Sequence, residues 1–184
     1  MHAGTQERRR KFYGWGYEGD EVSPQEIVEF EKAWTRLLGV SDFTAVPFPT
    51  EDSINLRPSR VKVPASLQAI CTTDKYDRLY HTYGASSVDL AYAVRGEFRN
   101  APDAVAYPRT EEDIVKLFHW CEDDSLAAIP YGGGTSVVGG VNHSPARWLS
   151  RHPFDRHEIL QQGFGNRPRF AGRAHSDRSA RSAP

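Results

Sequence analysis

The stretch "AAIPYGGGTSVVGG", Ala127 to Gly140, places three consecutive glycines after a short apolar run and follows them with Thr135 and Ser136. Glycine lacks the Cβ that holds a ligand away from main-chain N–H groups. Successive amides from Gly132 to Ser136 can therefore form an anion-binding concavity, with the Thr135 and Ser136 hydroxyls as further donors and a pyrophosphate as a fitting ligand. The loop has no lysine of the Walker type and does not follow the G-x-G-x-x-G spacing, which argues against ordinary ATP hydrolysis and an NAD-type site. On glycine content alone a tight turn with no ligand remains equally open.

The elements around the loop decide where it sits. Ala104 to Tyr107 reads as a short strand closed by Pro108. Thr110 caps a following helix with Asp113 at the capping-box position, and Ile114, Leu117, Phe118 and Cys121 form its apolar stripe. Leu126 to Pro130 reads as a second strand after the acidic break Glu122 to Asp124. Strand, helix, strand implies two parallel strands joined by a right-handed crossover. The glycines then fall past the C-terminal end of the second strand, where open α/β units place their ligands.

Upstream, Ser23, Pro24 and Glu26 start a helix, Ile27, Phe30, Trp34 and Leu37/Leu38 give it an apolar stripe, and Gly39 stands at its C-terminus. Val46 to Pro64 carries four prolines and reads as an ordered connector. A second helix is expected over part of Ser66 to Leu79. "FYGWGYEG" reads as an N-terminal arm that docks through its aromatics, Trp15 and Tyr17 among them, with a ligand or partner groove as the other reading. Arg57 and Arg60 are candidates for a substrate phosphate or for ion pairing.

A chain of 184 residues, 39% hydrophobic and 26% charged, suits one domain with appendages. The net charge of -1 gives no reason to expect nucleic acid or an anionic membrane as partner. Cys71 and Cys121 sit among apolar residues compatible with helices and read as reduced, buried thiols rather than a disulfide framework. No run approaches a membrane span and no apolar region follows the basic Arg8 to Lys11 stretch, so a cytoplasmic location is expected.

Taken together, "PDAVAYPRTEEDIVKLFHWCEDDSLAAIPYGGGTSVVGGV", "GWG" at Gly14 to Gly16, "NLRPSR" at Asn55 to Arg60 and "DRLYHTYGASSVDL" from Asp77 resemble one family. It is the FAD-binding flavoproteins of the vanillyl-alcohol oxidase/p-cresol methylhydroxylase (PCMH) type, in the alkyldihydroxyacetonephosphate synthase branch. The resemblance runs from Arg10 to Val141 and implies an α+β fold. An N-terminal helical and extended arm over residues 1–98 would precede a β-α-β subdomain, the first part of a PCMH-type FAD-binding domain, over 99–141.

The resemblance further implies that Pro130, Gly132, Gly133, Gly134, Thr135 and Ser136 hold the FAD diphosphate, with Pro108 and Tyr131 shaping the walls. Thr135 occupies the position at which some relatives attach flavin to a histidine, so FAD is expected to be noncovalent. His81 lies in a family-like segment and reads as structural. No metal site and no general acid or base is assigned.

From Asn142 the composition changes: residues 142–184 hold eight arginines, no lysine and three acidic residues. This Arg-rich tail reads as disordered, and the switch fits a shifted reading frame in a GC-rich gene or a truncated copy. The expectation is an FAD-binding, catalytically incomplete fragment of an FAD-linked oxidoreductase or transferase of ether-lipid synthesis, whose full-length relative takes a lipid-precursor substrate. The alternatives are a noncatalytic partner-binding module or nonfunctional product, and a relative of FAD-dependent 2-hydroxy-acid dehydrogenases.

Overall fold

The computed structural model describes residues 8–39 and 46–141, and the backbone of residues 159–163. Four helices and four strands occur among them: α1 (Pro24–Leu38), β1 (Cys71–Thr72), α2 (Lys75–Tyr80), α3 (Ser87–Val94), β2 (Ala104–Ala106), α4 (Glu111–Asp123), β3 (Ala127–Tyr131) and β4 (Ile159–Gly163). The strands form one mixed sheet in the order β1-β2-β4-β3.

The expected pair of parallel strands is present, but its members are not neighbours. β4 lies between them, parallel to both, with Ala104 opposite Leu160 and Tyr131 opposite Gly163. Disorder from Asn142 onward is therefore corrected at Ile159–Gly163, whose backbone completes the sheet. A five-residue strand between two others needs only main-chain pairing, which the composition of its surroundings does not reveal. The remainder of 142–184 lies outside the described residues.

Alternation along β2 explains how the sheet packs. Ala104 and Ala106 face one core with Leu67, Leu117, Trp120, Cys121 and Leu126, and their small side chains let α4 approach closely. Val105 is fully buried. α4 begins as expected: Thr110 Oγ1 accepts from the Asp113 amide at 3.1 Å, and Asp113 Oδ2 accepts from the Arg109 and Thr110 amides at 2.9 and 3.2 Å. Those amides, Arg109 first, hold the Asp113 carboxyl below its ordinary pKa. The stripe needs one correction, because Trp120 is buried whereas Phe118 is 54% exposed. The indole turns inward because its Nε1 donates to Asp124 Oδ2 at 2.7 Å.

α1 has its capping box and a left-handed Gly39 at φ +65°. None of its residues is buried, however. The helix expected over part of Ser66 to Leu79 is α2, which starts at Lys75; before it come a short 3-10 turn at Ala65–Leu67 and β1. Cys71 and Thr72 pair antiparallel with Ala106 and Val105, so tertiary pairing overrides local preference. Cys71 is thus on a strand, not a helix. Burial raises the Cys71 and Cys121 thiols to about 12 and about 11, and both are free.

The proline-rich connector is fastened at Asp103, whose carboxylate is fully buried. Arg57 Nη1 pairs with Asp103 Oδ1, and Arg57 Nη2 donates to the Ala101 carbonyl at 2.7 Å. Arg60 adds three donors to the same carboxylate, from its backbone N, Nε and Nη2, at 3.0, 3.1 and 2.6 Å. Arg78 Nε donates to the adjacent Pro102 carbonyl at 2.6 Å. Asp103→Asn leaves both guanidiniums without their counter-charge. The expected loss is about 3 kcal/mol of unfolding free energy, with unchanged urea m-value, against about 1 kcal/mol for Thr110→Ala. An Asp103→Asn loss below about 0.5 kcal/mol would show that the pair does not hold the connector.

Candidate functional site

The glycine loop leaves β3 at Tyr131, and this residue fixes its geometry. The Tyr131 hydroxyl is buried and lies 2.9 Å from the Tyr80 carbonyl and 3.1 Å from the Tyr83 carbonyl, to which it donates. Burial pushes the phenol's pKa well above its ordinary value. Gly134 folds back over this ring with φ +68°, where a Cβ would stand 2.3 Å from the hydroxyl oxygen. Further on, the Ser136 carbonyl accepts from the Ala85 amide at 2.7 Å. A Cβ on Gly84 would meet that carbonyl at 2.5 Å, so both ends of the loop are pinned by close approach.

Gly132 and Gly133 differ from these two. Neither has a positive φ; a Cβ on Gly132 would meet nothing within 4 Å, and one on Gly133 only Thr135 Cγ2 at 3.7 Å. The fold does not require glycine at either position. Bareness that the fold itself does not use leaves these main-chain amides open to a ligand lying against them.

The loop forms one wall of a shallow cleft. Tyr131, Gly133, Gly134 and Thr135 line it, joined by Tyr80, Tyr83 and Gly84, and the N-terminal arm from Arg10 to Gly16 forms the opposite wall. Its volume of about 40 Å³ has room for a few waters or one phosphate group. Pro130 and Gly132 are exposed beside it, Ser136 anchors the loop from behind, and half-buried Pro108 follows β2; none of the four lines the cleft.

The remaining candidates sort by burial. Arg57 and Arg60 are committed to Asp103, which settles their two readings in favour of ion pairing. The arm docks through Phe12, 7% exposed against Phe98, and through Tyr13 stacked on Phe48 at 4.3 Å. Trp15 does not dock: it is 64% exposed and lines the cleft. His81 is a structural histidine, 3% exposed, with Nδ1 2.7 Å from the Asp77 carbonyl and its ring 4.5 Å from that of Tyr131. Reading the sequence missed Tyr80, Tyr83 and Gly84. The signal for them was the capping box of α3, Ser86 with Asp89, which fixes where the preceding turn must end.

A mixed α/β sheet with a glycine-rich loop at the C-terminal end of a parallel strand is an arrangement that phosphate- and dinucleotide-binding units share. The comparisons narrow that class. Residues 102–163 match the FAD binding domain family. The chain is 39% identical over 72 residues to an alkyldihydroxyacetonephosphate synthase of Trypanosoma brucei brucei, covering 39% of this chain and 12% of the relative. It is 35% identical over 68 residues to a mitochondrial D-lactate dehydrogenase [cytochrome] of Arabidopsis thaliana, covering 37% of this chain and 11% of that one. A solved alkyldihydroxyacetonephosphate synthase superposes with a TM-score of 0.60 at 20% identity, over 84% of this chain and 32% of that structure. Residues 102–163 thus resemble part of an FAD binding domain and the fold is shared with the solved synthase, while the matched segments span about an eighth of the curated relatives.

Burial lowers the pKa of His81, with the Asp77 carbonyl opposing more weakly. An unfolded imidazole titrates near 6.5 and takes up its proton first, so this contribution is complete above about pH 6.5 and is lost as pH falls below it. His81→Gln should flatten the decline of unfolding free energy between pH 7 and pH 5, by at most about 1.4 kcal/mol per pH unit. Parallel pH profiles for the two proteins would contradict a neutral, buried His81.

Proposed function

We propose that the chain binds FAD noncovalently, the amides of Gly132 to Ser136 receiving the diphosphate while Tyr131 holds the loop from beneath and Pro108 and Pro130 limit its flanks. The observation that carries this reading is the pair Gly132 and Gly133, bare without structural need, in a segment that matches the FAD binding domain family. Bound flavin would supply the redox chemistry. The residues of this chain hold and orient its diphosphate.

Noncovalent attachment is supported by the loop itself, whose residues Gly132 to Ser136 include neither histidine nor cysteine. Thr135 presents only a hydroxyl. Among the described residues no carboxylate or imidazole lines the cleft, and burial raises the pKa values of its phenols Tyr80, Tyr83 and Tyr131. The 39% identity over 72 residues to an alkyldihydroxyacetonephosphate synthase, together with the fold shared with a solved synthase, favours ether-lipid synthesis over 2-hydroxy-acid oxidation as the setting.

Gly133→Val adds an isopropyl group where the diphosphate would lie, at a position the fold leaves open. Wild-type affinity for FAD is expected near micromolar, about -8 kcal/mol. The variant should lose at least about 30-fold in affinity, roughly 2 kcal/mol, while its melting temperature stays the same. Equal flavin content of wild type and variant after gel filtration would overturn the assignment.

A further inference from the structure

The arm that faces the glycine loop is a closed hairpin with its own charge. Arg10 and Tyr17 form an antiparallel bridge. The Lys11 amide donates to the Gly16 carbonyl at 3.2 Å and the Glu18 amide to the Arg9 carbonyl at 2.8 Å. Gly14 and Gly16, at φ +58° and +97°, turn the tip. The hairpin is fastened by main chain and by neighbours of the two cations: Tyr76 donates to the Arg10 carbonyl at 2.7 Å, Arg9 covers the Tyr76 ring at 3.5 Å, and Phe12 is buried.

Arg10 and Lys11 line the cleft, each with its cation engaged in part by the hairpin itself. No acidic residue lines the cleft among the described residues, and neither cation has a carboxylate within salt-bridge distance there. Arg10 rests 5.1 Å from the Tyr17 ring centroid. Lys11 gives one hydrogen bond, to the Asp20 carbonyl at 2.6 Å, and the Asp20 carboxylate is taken by Arg8. Arg10 and Lys11 thus share with the loop residues Gly133 to Thr135 a cleft of about 40 Å³. Amides alone compensate a diphosphate's charge only in part, whereas guanidinium and ammonium groups add charge-assisted hydrogen bonds.

We infer that the N-terminal hairpin is the second half of the diphosphate site, in which Arg10 and Lys11 neutralise the phosphates that the Gly132–Ser136 amides receive. This rests on the diphosphate reading above. It assigns the ligand's anionic part to two segments more than a hundred residues apart in sequence.

The test is titration of the full chain with ADP, pyrophosphate and riboflavin at low and moderate salt, for wild type, Arg10→Gln/Lys11→Gln and Arg10→Lys. The double variant should bind ADP and pyrophosphate about 10-fold or more weakly and with a flatter salt dependence. Riboflavin binding and melting temperature should be unchanged, and Arg10→Lys should retain most of the affinity. Wild type that binds ADP together with a double variant of equal affinity and equal salt dependence would overturn the role of the hairpin alone. Wild type that binds neither ADP nor pyrophosphate would overturn the diphosphate reading and the hairpin with it.

Discussion

A buried phenol must satisfy its O–H group, and Tyr131 does so on the carbonyls of Tyr80 and Tyr83, at the end of α2 and just beyond it. That requirement couples three parts of the molecule. It ends β3 at a fixed point, holds the 80–84 turn against the sheet, and gives Gly134 a surface to fold over. With the Ser136 carbonyl held by Ala85, the intervening amides are positioned before any ligand arrives. Preorganisation of this kind lowers the ordering cost of binding.

The second constraint is electrostatic and structural. Asp103, at the mouth of β2, gathers the connector through Arg57 and Arg60, while Arg78 reaches the neighbouring Pro102 carbonyl. A fully buried carboxylate with several donors is costly to desolvate but specific in where it can sit. It ties residues 57–60 to the strand, and β1 then pairs with β2 from the same N-terminal half. The arm and the sheet are thus parts of one packed arrangement. The arginines that looked available for a substrate phosphate are spent on it.

Local chemistry was legible in the sequence wherever a few adjacent residues decide the outcome. Ser23 with Glu26 and Thr110 with Asp113 mark helix starts because the reciprocal hydrogen bonds lie within three residues. The glycine triplet marked the loop for a similar reason. Features that depend on distant partners were not legible. Trp120 turns inward rather than Phe118 because Asp124 receives its indole N–H; Cys71–Thr72 is a strand because β2 lies beside it; Ile159–Gly163 joins the sheet from within a polar, Arg-rich stretch. Nor could the triplet reveal that Gly134 serves the fold while Gly132 and Gly133 do not, since that distinction exists only once Tyr131 is in place.

The central claim is that the main chain of Gly132 to Ser136 receives a diphosphate. Amide NMR spectra of the isotopically labelled chain, recorded with ADP and with adenosine, test it most directly. The account predicts that ADP shifts the amide signals of residues 132 to 136 in a saturable way and that adenosine leaves them in place. Saturable ADP binding with those five signals unmoved, or equal shifts with adenosine, would contradict it.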